Sequence, residues 1–243
     1  MHVGAVSYLS LFLTGILLLP ISGLAQSLEK VRIVYASRGL PFFSALVSRE
    51  MNFYQKHGLE MELIQMAPRI ALTALPTHQI DYSLNIGSTM RAAMRGAPVR
   101  AVASSTVAPF FALVSKEPSV AALKGKILGV TDPGGTNYQV TKMILSHSGL
   151  VPLKDVQLLT IGEEKLILDS MIAGRIAGAE ISPQFPFAVI CTNLDKIKSQ
   201  REQVKKVIRA EFNALRFIRE RRQQSIDLIV KLFKMDKGIV QKS

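Results

Sequence analysis

The chain has 243 residues, 48% of them hydrophobic and 20% charged. That is globular composition at a length able to bury a sizeable core without metal or disulfide, so a disordered or disulfide-stapled fold is excluded. Its one cysteine, Cys191, forms no internal disulfide and argues neither for nor against an oxidising compartment.

The formal net charge is +12, which raises the question of nucleic acid. Ten basic and three acidic residues between Lys196 and Arg222 carry seven of those charges, alternating with Val204, Ile208, Leu215 and Ile218 near helical spacing. The stretch reads as an amphipathic helix with a basic face. No aromatic stacking platform accompanies it, and the chain lacks tryptophan. A solvated face, or contact with an anionic membrane surface, therefore fits better than nucleic-acid binding.

In chain order, the first element is an N-terminal apolar run. Val3 to Leu19 carries no charge, Pro20 breaks it, and Gly23-Leu24-Ala25 places small residues before Gln26. This is the layout of a cleaved secretory signal peptide over residues 1–25, and the run is shorter than the ~20 apolar residues of a membrane span. If uncleaved, it would anchor the protein to a membrane.

Beyond it, strands and helices alternate. Val31–Tyr35 is a predicted strand, Ser37-Arg38-Gly39-Leu40 a loop, and Pro41 opens a helix whose face includes Leu46, Val47, Glu50 and Tyr54, ending at Gly58. Leu59–Leu63 alternates with period two and reads as a half-buried strand. A short helix at Ile70–Leu75, a strand at Tyr82–Ile86, a turn at Gly87-Ser88, a helix at Thr89–Arg95 and a strand at Val99–Ala103 complete a first α/β unit.

After Pro109 the pattern restarts. Strands are predicted at Phe110–Val114, Lys126–Val130, Val156–Ile161, Ile176–Ile181 and Phe187–Cys191, with helices at Thr136–Ser148 and Glu163–Ala173 and helix from there to the end. Such alternation means βαβ units and largely parallel sheets. The restart divides the chain into lobe 1, residues 26–107 plus 194–243, and lobe 2, residues 108–193. In open α/β sheets, ligands sit beyond the carboxyl ends of the strands.

The sharpest local feature is Asp132-Pro133-Gly134-Gly135-Thr136-Asn137-Tyr138-Gln139, between a strand and a helix. Thr136 and Gln139 have capping-box spacing. The glycines could expose N–H groups to an anion at the helix N-terminus, or the segment could be no more than a capped helix after a glycine turn. No P-loop or nucleophile-elbow pattern occurs. His57, His78 and His147 lack metal-ligand spacing, and the spacing of His147 places it at the edge of the core. Cys191 lies in an apolar strand as a buried, inert thiol. Glu180 interrupts the apolar run Ile176–Ile181, so it faces either solvent or the cleft.

The run Met90-Arg91-Ala92-Ala93-Met94-Arg95-Gly96-Ala97-Pro98-Val99-Arg100-Ala101-Val102-Ala103 resembles one found in substrate-binding proteins of ABC importers, in the branch for sulfonates, taurine, nitrate and thiamine-precursor pyrimidines. Leu123-Lys124-Gly125-Lys126, Pro133-Gly134-Gly135-Thr136 and Ala173-Gly174-Arg175-Ile176 to Ser182-Pro183 extend the resemblance from about Val31 to Phe217. It implies a type II periplasmic-binding-protein fold, α/β with two lobes of mainly parallel sheets. Compared with that family, Gln184-Phe185-Pro186 stands where a further helix and strand are usual, so the second lobe is expected to lack both.

The resemblance implies a periplasmic, non-enzymatic protein that captures a small polar or anionic organic solute and delivers it to an ABC permease, without cofactor or metal. The implied ligand-binding residues are Ser37, Arg38, Gly87, Ser88, Ser105, Thr106, Gly135, Thr136, Asn137 and Ser182. Two other readings are a non-transporting sensor or degenerate remnant, and an enzyme related to pyrimidine-forming thiamine biosynthesis. The latter relies on histidine and a cysteine-rich motif, and this chain has one cysteine. The signal-peptide reading predicts a mature chain beginning at Gln26. The intact mass of protein from periplasm or medium checks this, and recovery of only the full-length chain in the membrane fraction would identify an anchor instead.

Overall fold

The computed structural model describes residues 27–105, 111–181 and 189–242. The predicted signal segment lies outside them. Nine strands form two sheets among these residues, β1 Glu29–Tyr35, β2 Leu59–Gln65, β3 Tyr82–Ser83, β4 Val99–Ser104 and β9 Val189–Asn193 in one, and β5 Ala112–Ser115, β6 Ile127–Val130, β7 Gln157–Thr160 and β8 Gly178–Ile181 in the other. The orders are β2-β1-β3-β9-β4 and β5-β8-β6-β7. Each sheet has a parallel centre (β2-β1-β3 and β7-β6-β8) and antiparallel pairing at one side, where β9 joins β3 to β4 and β5 joins β8.

The helices are α1 Phe43–Glu50, α2 Pro68–Ala74, α3 Ile86–Met94, α4 Thr136–His147, α5 Glu164–Ile172, α6 Leu194–Ser199, α7 Arg201–Glu220, α8 Arg222–Phe233 and α9 Lys237–Lys242. Several boundaries differ from the sequence reading. The first helix stops at Glu50 because Asn52 takes a left-handed conformation (φ 54°), so Tyr54 begins a separate short turn that Gly58 ends at φ 73°. The strand expected at Tyr82–Ile86 is two residues long, and Gly87 and Ser88 lie in the first turn of α3 rather than in a turn before it. The cause is local. The Ser88 and Thr89 hydroxyls both donate to the Asn85 carbonyl, at 2.9 and 3.1 Å, and pull the helix start back.

Strand β9 belongs to the first sheet, not to the second lobe's expected span of 108–193. All five of its residues are buried, which requires a neighbour on each side, and β3 and β4 supply them. Asn193 then accepts the Lys196 N–H at 2.8 Å and caps α6, so the C-terminal helices start directly from the sheet they cover.

An ionic cluster fastens those helices to β1. Asp81 takes Arg32 at 3.1 Å and Lys196 at 3.1 Å, and Lys196 also reaches Gln203, which accepts from the Tyr82 hydroxyl at 2.8 Å. Burial raises the affinity of Asp81 for a proton, but Arg32 and Lys196 outweigh it and hold the carboxyl below its usual range. On its inner face α7 presents Val207, Ala210 and Ala214, all fully buried. These small side chains bring it close to α1, and the Ser48 hydroxyl reaches the Ala210 carbonyl at 3.4 Å.

Between α1 and α7 lies Glu211, 1% exposed, accepting the Tyr54 hydroxyl at 3.0 Å. Burial pushes its pKa up, which the nearby Tyr54, Ser48 and Ser44 hydroxyls offset only in part, so the carboxyl is held towards its neutral form. Tyr54→Phe should cost about 1–3 kcal/mol in urea unfolding by leaving that carboxyl without its donor. Glu211→Gln, which keeps shape and neutrality, should stay within about 1 kcal/mol of the parent. A Gln variant as damaged as Glu211→Ala would mean that the buried group is a charged carboxylate.

Candidate functional site

A cleft opens where the carboxyl ends of β1, β3 and β6 meet between the sheets, as expected for an α/β ligand site. Two connected cavities form it, of about 100 and about 260 Å3, sharing Pro41, Thr131, Asn137 and Glu164. The first lobe contributes Ser37 after β1, Phe42 before α1, and Asn85 and Ser88 at the start of α3. The second contributes Gly135, Thr136 and Asn137 at the start of α4, Glu164 at the start of α5 and Glu180 on β8. Apolar walls come from Leu40, Leu84, Phe111, Ile167 and Met171.

Of the ten residues expected at the site, Ser37, Ser88, Gly135, Thr136 and Asn137 line this cleft. Arg38 is exposed at its edge and Ser105 is exposed elsewhere, and neither lines it. Thr106 and Ser182 lie outside the described residues. Gly87 does not line the cavities, yet it holds a different position of consequence: a β-carbon there would overlap the Thr136 hydroxyl. Gly39 likewise abuts the Glu164 carboxylate. The lobes thus touch across the cleft at residues without side chains, and Gly134 meets the Arg69 backbone of the first lobe in the same way. Arg91 adds a hydrogen bond to the Gly134 carbonyl, and Gln65 donates to Glu163 at 2.5 Å.

The glycine turn works differently from the capping-box expectation. Gly135, not Thr136, occupies the cap position of α4, and no side chain caps the helix. Thr136 stands one residue too late to cap and points its hydroxyl at Gly87. Gln139 donates to the Pro133 carbonyl at 3.3 Å instead of reaching back to a cap. The Gly134 N–H donates to the Asp132 carboxylate at 2.7 Å and the Gly135 N–H to the Asp132 carbonyl at 2.8 Å. The two amides expected to cradle an anion are therefore already bonded, and to a group that itself supplies negative charge to the helix end.

Two polar groups in the cleft have no hydrogen-bond partner among the described residues. One is the Asn85 side-chain N–H2, on a residue 7% exposed; the other is the Glu180 carboxylate, both oxygens, on a residue 6% exposed. Burial pushes Glu180 up to about 7; the Asn137 amide nearby opposes this and the Glu164 charge adds to it. Glu164 is itself raised, by burial and by Glu163. Of these groups the sequence marked only Glu180, as a charge within an apolar strand. In sequence Glu164 is part of the first turn of the helix predicted at Glu163–Ala173 and Asn85 part of the strand predicted at Tyr82–Ile86, so neither stands out.

Elsewhere, Cys191 is fully buried and its thiol is pushed up to about 11 by burial, consistent with a packing role. His147 is exposed on the last turn of α4, not at the edge of the core. No cluster of three His, Cys, Asp or Glu side chains that could hold a metal occurs among the described residues.

A two-lobed α/β fold with its cleft at the strand ends defines the periplasmic-binding-protein class. It is similar to the alkanesulfonate-binding protein SsuA from Xanthomonas axonopodis pv. citri bound to MOPS, at 16% identity and TM-score 0.68, over 88% of this chain and 82% of that one. The aliphatic sulphonate binding protein SsuA from Escherichia coli is similar at 17% identity and TM-score 0.63, over 88% and 77%. So is the amino acid ABC transporter substrate-binding protein AbpA from Streptococcus pneumoniae bound to L-arginine, at 12% and 0.53, over 84% and 94%. A family model matches residues 41–182, more than half of the chain, and the chain belongs to the NMT1/THI5-like family. No curated protein matches the sequence.

Gly87 is a direct handle on lobe closure. Its φ lies outside the left-handed region, and a β-carbon there meets the Thr136 side chain of the opposite lobe and, less closely, the Arg91 guanidinium of its own helix. Gly87→Val should leave unfolding stability within about 1 kcal/mol of the parent, as for changes without a core or backbone penalty. It should also enlarge the radius of gyration in solution scattering. An unchanged radius would mean that the lobes do not separate about this contact.

Proposed function

We propose that this protein is the extracytoplasmic solute-binding component of an ABC importer, closing its lobes over a small polar organic molecule that it hands to a membrane permease. One observation carries the reading. An unpartnered donor on the first lobe, Asn85, and an unpartnered acceptor on the second, Glu180, line one cleft. Leaving such groups buried and unpaired costs about 1–3 kcal/mol each, and a ligand that bonds both stabilises the closed form by removing that cost. The family and the fold likeness to proteins binding sulfonates and L-arginine support the general role. The apolar N-terminal run supports export, and no helix among the described residues is long and apolar enough to cross a membrane.

The charge of the cleft selects the solute. Glu164 and Glu180 face it, and Asp132 occupies the amides of the glycine turn. A ligand presenting a cationic or N–H-rich group to Glu180 and an acceptor to Asn85 matches this arrangement. A simple anion would meet the carboxylates of Glu164 and Glu180. The apolar walls suit a small aliphatic or ring body between the two polar ends.

The pH dependence has a definite sign. The folded-state pKa of Glu180 is raised to about 7, so its ionised form disfavours the ligand-free fold, and this group's contribution to stability falls as pH rises from the unfolded carboxylate range through 7. A cationic ligand needs the ionised form. Its affinity should therefore rise about tenfold per pH unit up to 7 and level off above, with proton release on binding. Calorimetric titration of the best hit from a thermal-shift screen of amines, amidines and amino-heterocycles measures both effects. Glu180→Gln should weaken that ligand about 10- to 100-fold and flatten the profile. Stabilisation by alkanesulfonates but by none of these cations would overturn the assignment of the ligand.

A further inference from the structure

The outer face of α7 carries a feature that neither fold nor cleft uses. Arg201, Lys205, Arg209, Arg216 and Arg219 are all exposed, and at 100° per residue they fall within an arc of about 80°. Phe212, 45% exposed, lies inside the same arc. The file is roughly 27 Å long on a helix whose opposite face is buried against α1. Among the described residues only Lys205 of these five has a carboxylate partner, Glu202 at 2.6 Å. Like charges one turn apart destabilise a helix, so the file works against the fold that displays it. None of its members lines the cleft.

We infer that this face of α7 is a docking surface for an anionic lipid bilayer. A straight, narrow file of cations along one convex helix matches a flat, evenly charged surface, and the exposed phenyl ring at its middle supplies an apolar contact below the headgroups. Each cation brought to an anionic leaflet adds about fivefold to partitioning, and the attraction fades within a Debye length. A duplex held through its phosphates would use the cations but leave the exposed Phe212 ring without an apolar partner, and single strands call for several stacking rings, where this face has one. Docking through α7 leaves the cleft free to take up solute.

The chain has no tryptophan, so Phe212→Trp places a single fluorescent reporter in the file. With the full chain at low salt, vesicles containing phosphatidylglycerol should blue-shift its emission, and pure phosphatidylcholine vesicles should not. Partitioning of the unmodified chain in flotation should favour the anionic vesicles by at least about tenfold. That preference should vanish in about 0.5 M salt, and in an Arg209→Gln/Arg216→Gln variant. The Arg209→Gln/Arg216→Gln variant keeps the apolar N-terminal run and every other basic residue, so its loss of the preference assigns the effect to α7. An unshifted reporter together with no anionic preference in flotation would overturn the inference. So would tighter binding of a duplex oligonucleotide than of the vesicles at equal salt, which would assign the face to nucleic acid.

Discussion

At Gly87 and Gly39 the backbone of one lobe meets Thr136 and Glu164 of the other with no side chain between them. The geometry of the cleft depends on that approach. It sets how near α3 and α4 can come, and so brings the cavity lined by Asn85 against the one lined by Glu180. It also places Arg91 against the Gly134 carbonyl and Gln65 against Glu163, polar contacts that ring the cleft rather than fill it. Affinity in such a clamp comes from what the ligand adds to contacts the lobes already make, and here those contacts are few and mostly polar.

The electrostatics follow from the same closeness. Burial raises both Glu164 and Glu180, the Glu164 charge makes ionising Glu180 harder, and Glu163 does the same to Glu164. Asp132 spends its carboxylate on the glycine-turn amide, which turns a helix N-terminus suited to anions into one already compensated. The cleft carries net negative character within a chain of net charge +12. Seven of those twelve charges lie between Lys196 and Arg222, largely on α7 and outside the cleft lining, while Arg38 and Arg91 border the cleft.

Most of the architecture was legible because strand period, helix period and glycine stops agree along the chain. Half-buried strands such as β2 announce themselves by alternation, and Gly58 by ending an element before a strand. What was illegible turns on tertiary contact. Gly87 looks like a turn residue in sequence, but its role is clearance for Thr136, which local pattern cannot encode. Thr136 and Gln139 have capping spacing, yet the helix begins one residue early for a cap because Asp132 organises the turn instead. Asn85 read as part of a strand, since nothing local shows Ser88 and Thr89 drawing the helix start towards it. Glu180 left a trace, because a carboxylate in an apolar strand needs a reason, and the cleft provides it.

The placement of β9 has a consequence for the order in which the molecule can assemble. The second sheet is drawn from one uninterrupted stretch, 112–181, so its pairings close over short separations and need nothing made later. The first sheet cannot close that way. Its β3 and β4 are joined only through β9, more than a hundred residues after β3, and α7, which covers the core beneath, comes later still. Until β9 is made, the first lobe is therefore an unfinished sheet in which β3 and β4 both lack the strand that pairs with them. Its closure needs the C-terminal quarter of the chain, which supplies both the strand that joins β3 to β4 and the helix that covers the core.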